Sequence, residues 1–108
     1  MTKVTFSGKA AKQAAKLPEK IREVLRALVK DIIHQGPVRG NWPHYSKLGS
    51  GEHHCHLKAG RPTYVAIWKV IDKNVVKIVY AGTHENVLIL NETSRYFLRE
   101  FYQIQSPV

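Results

Sequence analysis

Ile21, Val24, Leu25, Leu28, Val29, Ile32 and Ile33 recur at i, i+3, i+4, i+7, i+8, i+11 and i+12. That spacing lines one face of a 3.6-period helix and predicts a long amphipathic helix whose stripe faces a core. Pro18 suits its first turn, where the missing N–H has no intrahelical bond to lose. Gly36-Pro37 stops it. Lys20, Arg22, Arg26 and Lys30 lie off the stripe, on a solvated face or a nucleic-acid surface. Upstream, Gly8 to Lys16 places Ala10, Ala11, Ala14 and Ala15 at helical spacing, with Ser7 where an N-cap belongs. Leu17-Pro18 breaks that first helix, because the residue before proline avoids the helical region. Val4-Thr5-Phe6 is a short β-branched opening and predicts a strand.

From Gly40 the period changes to two. Tyr45 to Leu48, His53 to Lys58, Tyr64 to Ile71 and Val75 to Ala81 read as four strands. Gly49-Ser50-Gly51, Ala59-Gly60-Arg61-Pro62 and Asp72-Lys73-Asn74 supply the turns between them. The order β-α-α-β-β-β-β predicts an α+β domain: a twisted, mostly antiparallel sheet with two N-terminal helices on one face. Beyond the last strand, Asn91 to Gln103 carries Tyr96, Phe97, Leu98, Phe101 and Tyr102, a pattern compatible with an extra C-terminal helix. No repeat or linker divides the chain.

Charge narrows the function classes. Seventeen Lys and Arg against eight Asp and Glu give a net +9 over 108 residues. Residues 1–40 carry nine basic and three acidic residues (+6), 41–82 carry six and two (+4), and 83–108 carry two and three (−1). Such an excess attracts polyanions, nucleic acid first, and equally suits an acidic protein partner. One cysteine, Cys55, excludes an internal disulfide. No run approaches the roughly 20 apolar residues that span a bilayer. The first residues lack the apolar core of a signal peptide. The expectation is a cytoplasmic protein with no membrane partner.

The densest polar cluster is Glu52-His53-His54-Cys55-His56-Leu57-Lys58. Alternation along a strand predicts that His54, His56 and Lys58 share one face. Three readings stay open: half-exposed strand residues, zinc ligands, or groups that contact or cleave RNA. Zinc needs a third or fourth ligand, and Lys58 on that face repels a cation. Lys47, on the preceding strand, and Arg61, in the following loop, are expected to join the cluster and form a cationic cradle for a phosphodiester. Lys69 is a further RNA-contact candidate. His84 falls just past a central strand, on the sheet rim where functional groups gather. No glycine-rich phosphate loop and no HExxH are present, and Cys55 reads as a buried thiol.

Trp42-Pro43-His44-Tyr45-Ser46-Lys47-Leu48, His54-Cys55-His56-Leu57-Lys58-Ala59-Gly60-Arg61-Pro62-Thr63-Tyr64-Val65-Ala66 and Tyr80-Ala81-Gly82-Thr83-His84-Glu85 together resemble a branch of the RelE-like cytotoxic translational repressors, in the RelE/ParE superfamily. The resemblance covers about residues 1–86, leaving 87–108 as an atypical extension. It implies a toxin of a type II toxin–antitoxin pair, with an antitoxin, the ribosome and mRNA as partners. It implies mRNA cleavage without metal or other cofactor, by attack of a ribose 2′-OH on the adjacent phosphorus. It also implies catalytic roles for Lys47, His54, His56, Lys58, Arg61 and His84. A ParE-like, gyrase-binding toxin without enzymatic activity and an inactive relative are the alternatives. The chain departs from the family pattern twice. Val65, not arginine, follows Tyr64, and Val87-Leu88-Ile89-Leu90 stands where Ala-Pro-Tyr is usual.

Overall fold

The computed structural model describes residues 1–60 and 62–84. Arg61, Glu85 and everything after it, including the expected C-terminal helix, lie outside the described residues. The elements are β1 (Lys3–Phe6), α1 (Gly8–Ala15), α2 (Glu19–Gln35), β2 (Ser46–Gly49), β3 (Glu52–Lys58), β4 (Tyr64–Asp72) and β5 (Val75–Thr83). The predicted order is found, with boundaries shifted by one or two residues.

Ser7 caps α1, its Oγ accepting from the Ala10 N–H at 3.0 Å. Pro18 precedes α2, and Gly36 ends it at φ 91°, a left-handed value that costs glycine little. The stripe reads out as packing: Ile21, Leu25, Leu28 and Ile32 are buried. They meet Cys55, Leu57, Ala66, Trp68, Val76 and Ile78 from the sheet in one core. Each such aliphatic side chain contributes about 1.5–3 kcal/mol on burial.

The sheet order is β1-β5-β4-β3-β2. β2 to β5 form an antiparallel meander, and β1 adds to β5 in parallel. Asn74 closes the β4–β5 turn at φ 64°, a left-handed conformation asparagine tolerates. Both helices pack on one face. On the other, Leu48, Val65, Ile67 and Tyr80 form a second buried cluster. Among the described residues, no helix is long and apolar enough to cross a membrane.

Candidate active site

β3 divides its side chains between the two faces. His54 pairs with Ile67 and His56 with Val65, both members of the cluster opposite the helices. The two histidines therefore stand on the face opposite α1 and α2. Cys55 and Leu57 point into the helix-side core. His53 also faces that side, stacked on Trp68 at 5.8 Å between centroids with 4° between ring planes. The expected alternation holds as far as His56.

Three expected RNA-contact residues lie away from the histidine row. The β3–β4 register shifts between His56 and Lys58, so Lys58 pairs with Tyr64. A bulge of this kind re-aims the side chain that follows it. The Lys58 ammonium donates to the carbonyls of Ala59 and Pro62, at 3.1 and 3.3 Å, in the loop after β3. It does not continue the histidine row. Lys47 pairs with His53, whereas Ser46 pairs with His54. Lys47 is therefore on the His53 side of the sheet, because a one-residue difference in register exchanges faces. Lys69 is exposed and pairs with Glu52, at the far end of β3 from His56. At about 3.3 Å per residue it lies roughly 13 Å along the ladder from the His56–Val65 pair.

His84 and an unexpected residue, His44, complete the site. The His84 N–H donates to the Thr63 carbonyl at 2.8 Å, extending the β4–β5 ladder by one residue. The Tyr80 hydroxyl donates to the Thr83 carbonyl at 2.6 Å, fixing the backbone immediately before His84. Gly82 makes room for that ring: a Cβ there would meet Tyr80 Oη at 3.0 Å and Cζ at 3.2 Å. His44 stacks on His56 with centroids 4.3 Å apart and 29° between planes. His54 and His84 stand edge-on to His56 at 5.6 and 6.0 Å. The four imidazoles thus form one cluster with His56 at its centre.

The environment of His54 and His56 favours the neutral form. Burial, helped by His56 and opposed by a hydrogen bond to the Ser46 backbone, lowers the His54 pKa to about 4; His84 and His44 add to the depression. His54 Nδ1 lies 2.9 Å from Ser46 Oγ. Burial, then His44 and His84, lower His56 to about 4 as well. His53 is lowered by burial and then by Lys47. Cys55 is pushed up to about 12 by burial, which makes it a poor nucleophile and a poor thiolate ligand. Among the described residues, no group of three or more His, Cys, Asp and Glu is arranged to hold a metal ion.

These shifts carry a stability consequence. An unfolded histidine titrates near 6.5, whereas folded His54 and His56 titrate near 4. Between those values the unfolded chain binds more protons, so stability is complete above pH 6.5 and is lost as pH falls toward 4. For His54, the more buried of the pair, the loss at pH 5 is about 2 kcal/mol. The melting temperature should drop on the order of 10 °C between pH 7 and pH 5. In His54→Asn the drop should be clearly smaller. Identical melting curves at the two pH values would show that these imidazoles are not held neutral.

Periodicity and spacing in the sequence do not single out His44, Ser46 or Tyr80. The first lies in a loop whose path is set by tertiary contacts. The second depends on strand register. For the third, Gly82 inside a strand was a readable sign of close approach by another group.

No family model matches the chain, and comparison with curated proteins finds no significant match. Comparison with solved structures does find likenesses. The YoeB dimer structure from Staphylococcus aureus aligns with TM-score 0.62 at 22% identity, covering 77% of this chain and 97% of that one. A mutant Escherichia coli RelE toxin in the free state aligns with TM-score 0.61 at 20% identity, covering 95% and 97%. The archaeal RelE–RelB complex from Pyrococcus horikoshii aligns with TM-score 0.54 at 20% identity, covering 76% and 93%. Two helices on one face of a five-stranded sheet, with a histidine cluster on the other, are thus built on the RelE-like toxin fold.

Proposed function

We propose that this chain is the toxin of a toxin–antitoxin pair and cleaves mRNA on the ribosome. The observation that carries the reading is the pair His56 and His84, 6.0 Å apart at the rim of a sheet with the RelE-like fold. Two imidazoles at that separation can address one phosphodiester from two sides. His56, neutral at pH 7, accepts the proton of the ribose 2′-OH as its oxygen bonds to phosphorus. His84 donates a proton to the departing 5′-oxygen as the P–O5′ bond breaks. The products are a 2′,3′-cyclic phosphate and a 5′-OH. The required 2′-OH restricts the reaction to RNA.

The remaining candidates divide by position. His54, 4% exposed and bonded to Ser46, supports His56 from beneath and is better placed to position than to touch substrate. Lys58, the last residue of β3, and Arg61, which follows it in sequence before β4, are assigned to the charge that develops on the phosphorane oxygens. Lys47 and Lys69, both exposed, are assigned to the RNA backbone away from the scissile bond. A gyrase-binding toxin without enzymatic activity has no use for a cluster of proton-transfer groups and is not favoured.

No step in this scheme passes through a metal. Single-turnover cleavage of ribosome-bound mRNA should keep its rate when the toxin has been treated with EDTA and returned to the reaction buffer. Loss of cleavage that zinc restores would replace the proton-transfer scheme with a metal-assisted one.

The RelE–RelB complex among the similar structures supports an antitoxin partner here. Residues 1–82 carry fifteen basic and five acidic residues, a net +10. An acidic or amphipathic antitoxin segment fits that surface. Their association should weaken as salt rises from low to physiological concentration. An affinity independent of salt would assign the interface to apolar contacts instead.

A further inference from the structure

His44 is the one member of the imidazole cluster that is exposed, and its surroundings hold it outward. It adopts φ 52°, a left-handed conformation uncommon for a residue with a side chain. Its neighbours are anchored inward on either side. Trp42 Nε1 donates to Asp31 Oδ2 at 2.8 Å, and Tyr45 Oη is hydrogen-bonded to His53 Nδ1 at 2.6 Å. Backbone bonds from Trp42 N–H to the Arg39 carbonyl and from Tyr45 N–H to the Trp42 carbonyl close the turn. The Pro43 carbonyl accepts from the His56 N–H at 2.9 Å, docking the loop against β3. The loop is fixed at residues 42, 43 and 45, and the side chain between them is turned out over His56.

One face of the His44 ring is covered by His56 at 4.3 Å. No ring other than His56 meets it among the described residues. The arrangement is a flat π surface, pre-organised by its loop, beside the groups assigned to the scissile phosphate. The chemistry that uses such a surface next to a phosphodiester is stacking of an unpaired base, which aromatic and imidazole rings support without regard to base identity. Backbone strain at an exposed residue outside the hydrophobic core accords with a functional position.

We propose that the outer face of His44 is a stacking subsite for one unpaired nucleobase of the RNA strand, continuing the His44–His56 stack. The inference rests on the proposed RNA substrate. It adds a binding determinant that proton transfer does not require.

The test uses the full chain and single-stranded 2′-O-methyl RNA, in which the attacking hydroxyl is blocked. His44→Asn removes the ring while keeping a residue that accepts the left-handed backbone. Base–aromatic stacking is worth about 1–3 kcal/mol, so binding should weaken about 5- to 150-fold. Walking a single abasic position along the oligonucleotide should reveal one position where wild type loses the same factor. At that position His44→Asn should lose nothing further. Losses that simply multiply at every abasic position, or wild-type affinity in His44→Asn, would overturn the subsite. Absence of any RNA binding by wild type would overturn it too. The two readings fail separately. Stacking without cleavage of unmodified ribosome-bound mRNA rejects the nuclease alone, and cleavage with no coupling rejects the subsite alone.

Discussion

Replacing His84 by alanine should lower single-turnover cleavage of ribosome-bound mRNA by about 10²–10⁴, the usual cost of removing a proton-transfer group. The size follows from the role: the 5′-oxygen leaves poorly unless it is protonated as the bond breaks. The position is held by backbone contacts that the substitution leaves intact, from His84 N–H to Thr63 and from Tyr80 Oη to the Thr83 carbonyl. The variant should therefore remain folded, and a circular-dichroism melt should confirm it before the rate is read. Cation replacements are expected to behave differently. Lys58→Ala and Arg61→Ala should each cost less than His84→Ala and more in combination, because neighbouring charges share the stabilisation of one phosphorane. Lys47 pairs with His53 across the sheet from the cluster. Its alanine variant should stay within roughly tenfold of wild type, the scale of one exposed backbone contact. A Lys47 effect as large as that of His84 would place the scissile phosphate on the wrong face.

Trp68→Ala should cost about 3–5 kcal/mol of folding stability, the range for deleting a buried aromatic side chain. Trp68 is fully buried and belongs to the core between helices and sheet. Its Nε1 donates to the Pro37 carbonyl at 3.0 Å, tying the chain that leaves α2 to the middle of β4. Its ring also carries His53, which in turn holds Tyr45 and so the loop bearing His44. A domain of this size has about 5–15 kcal/mol in total, so the variant should be largely unfolded at physiological temperature. Trp68→Phe keeps most of the packing but orphans the Pro37 carbonyl and should cost about 1–3 kcal/mol. Urea unfolding of the two variants measures both numbers. Equal, small losses would show that the helix–sheet core does not depend on this residue.

The fold was legible because periodicity reports it directly. The α2 stripe and the alternating strands have different periods, and Gly36, Gly49, Gly51 and Asn74 mark places where the chain turns in left-handed conformations. The histidine row was legible for the same reason: His54 and His56 are two residues apart, and a strand puts them on one face. The cationic cradle was less legible. Whether Lys47 faces His53 or His54 depends on register between two strands, which spacing within one strand does not specify. Lys58 fell outside the row because a bulge follows His56, and bulges arise from pairing, not from local propensity. His44 reaches His56 only through contacts of Trp42, Pro43 and Tyr45 with partners distant in the chain. Arg61 and the segment from Glu85 are not among the described residues, so their assignments stand on the sequence.

The proposed reaction is RNA cleavage by 2′-OH attack, with His84 and His56 moving the protons. The most direct measurement is the chemistry of the new ends when purified toxin acts on mRNA held by programmed ribosomes. Fragments bearing a 2′,3′-cyclic phosphate and a 5′-OH are expected, with none formed when the scissile nucleotide carries a 2′-deoxy sugar. Intact mRNA from active, antitoxin-sensitive toxin, or fragments with a 5′-phosphate, would contradict the proposed reaction.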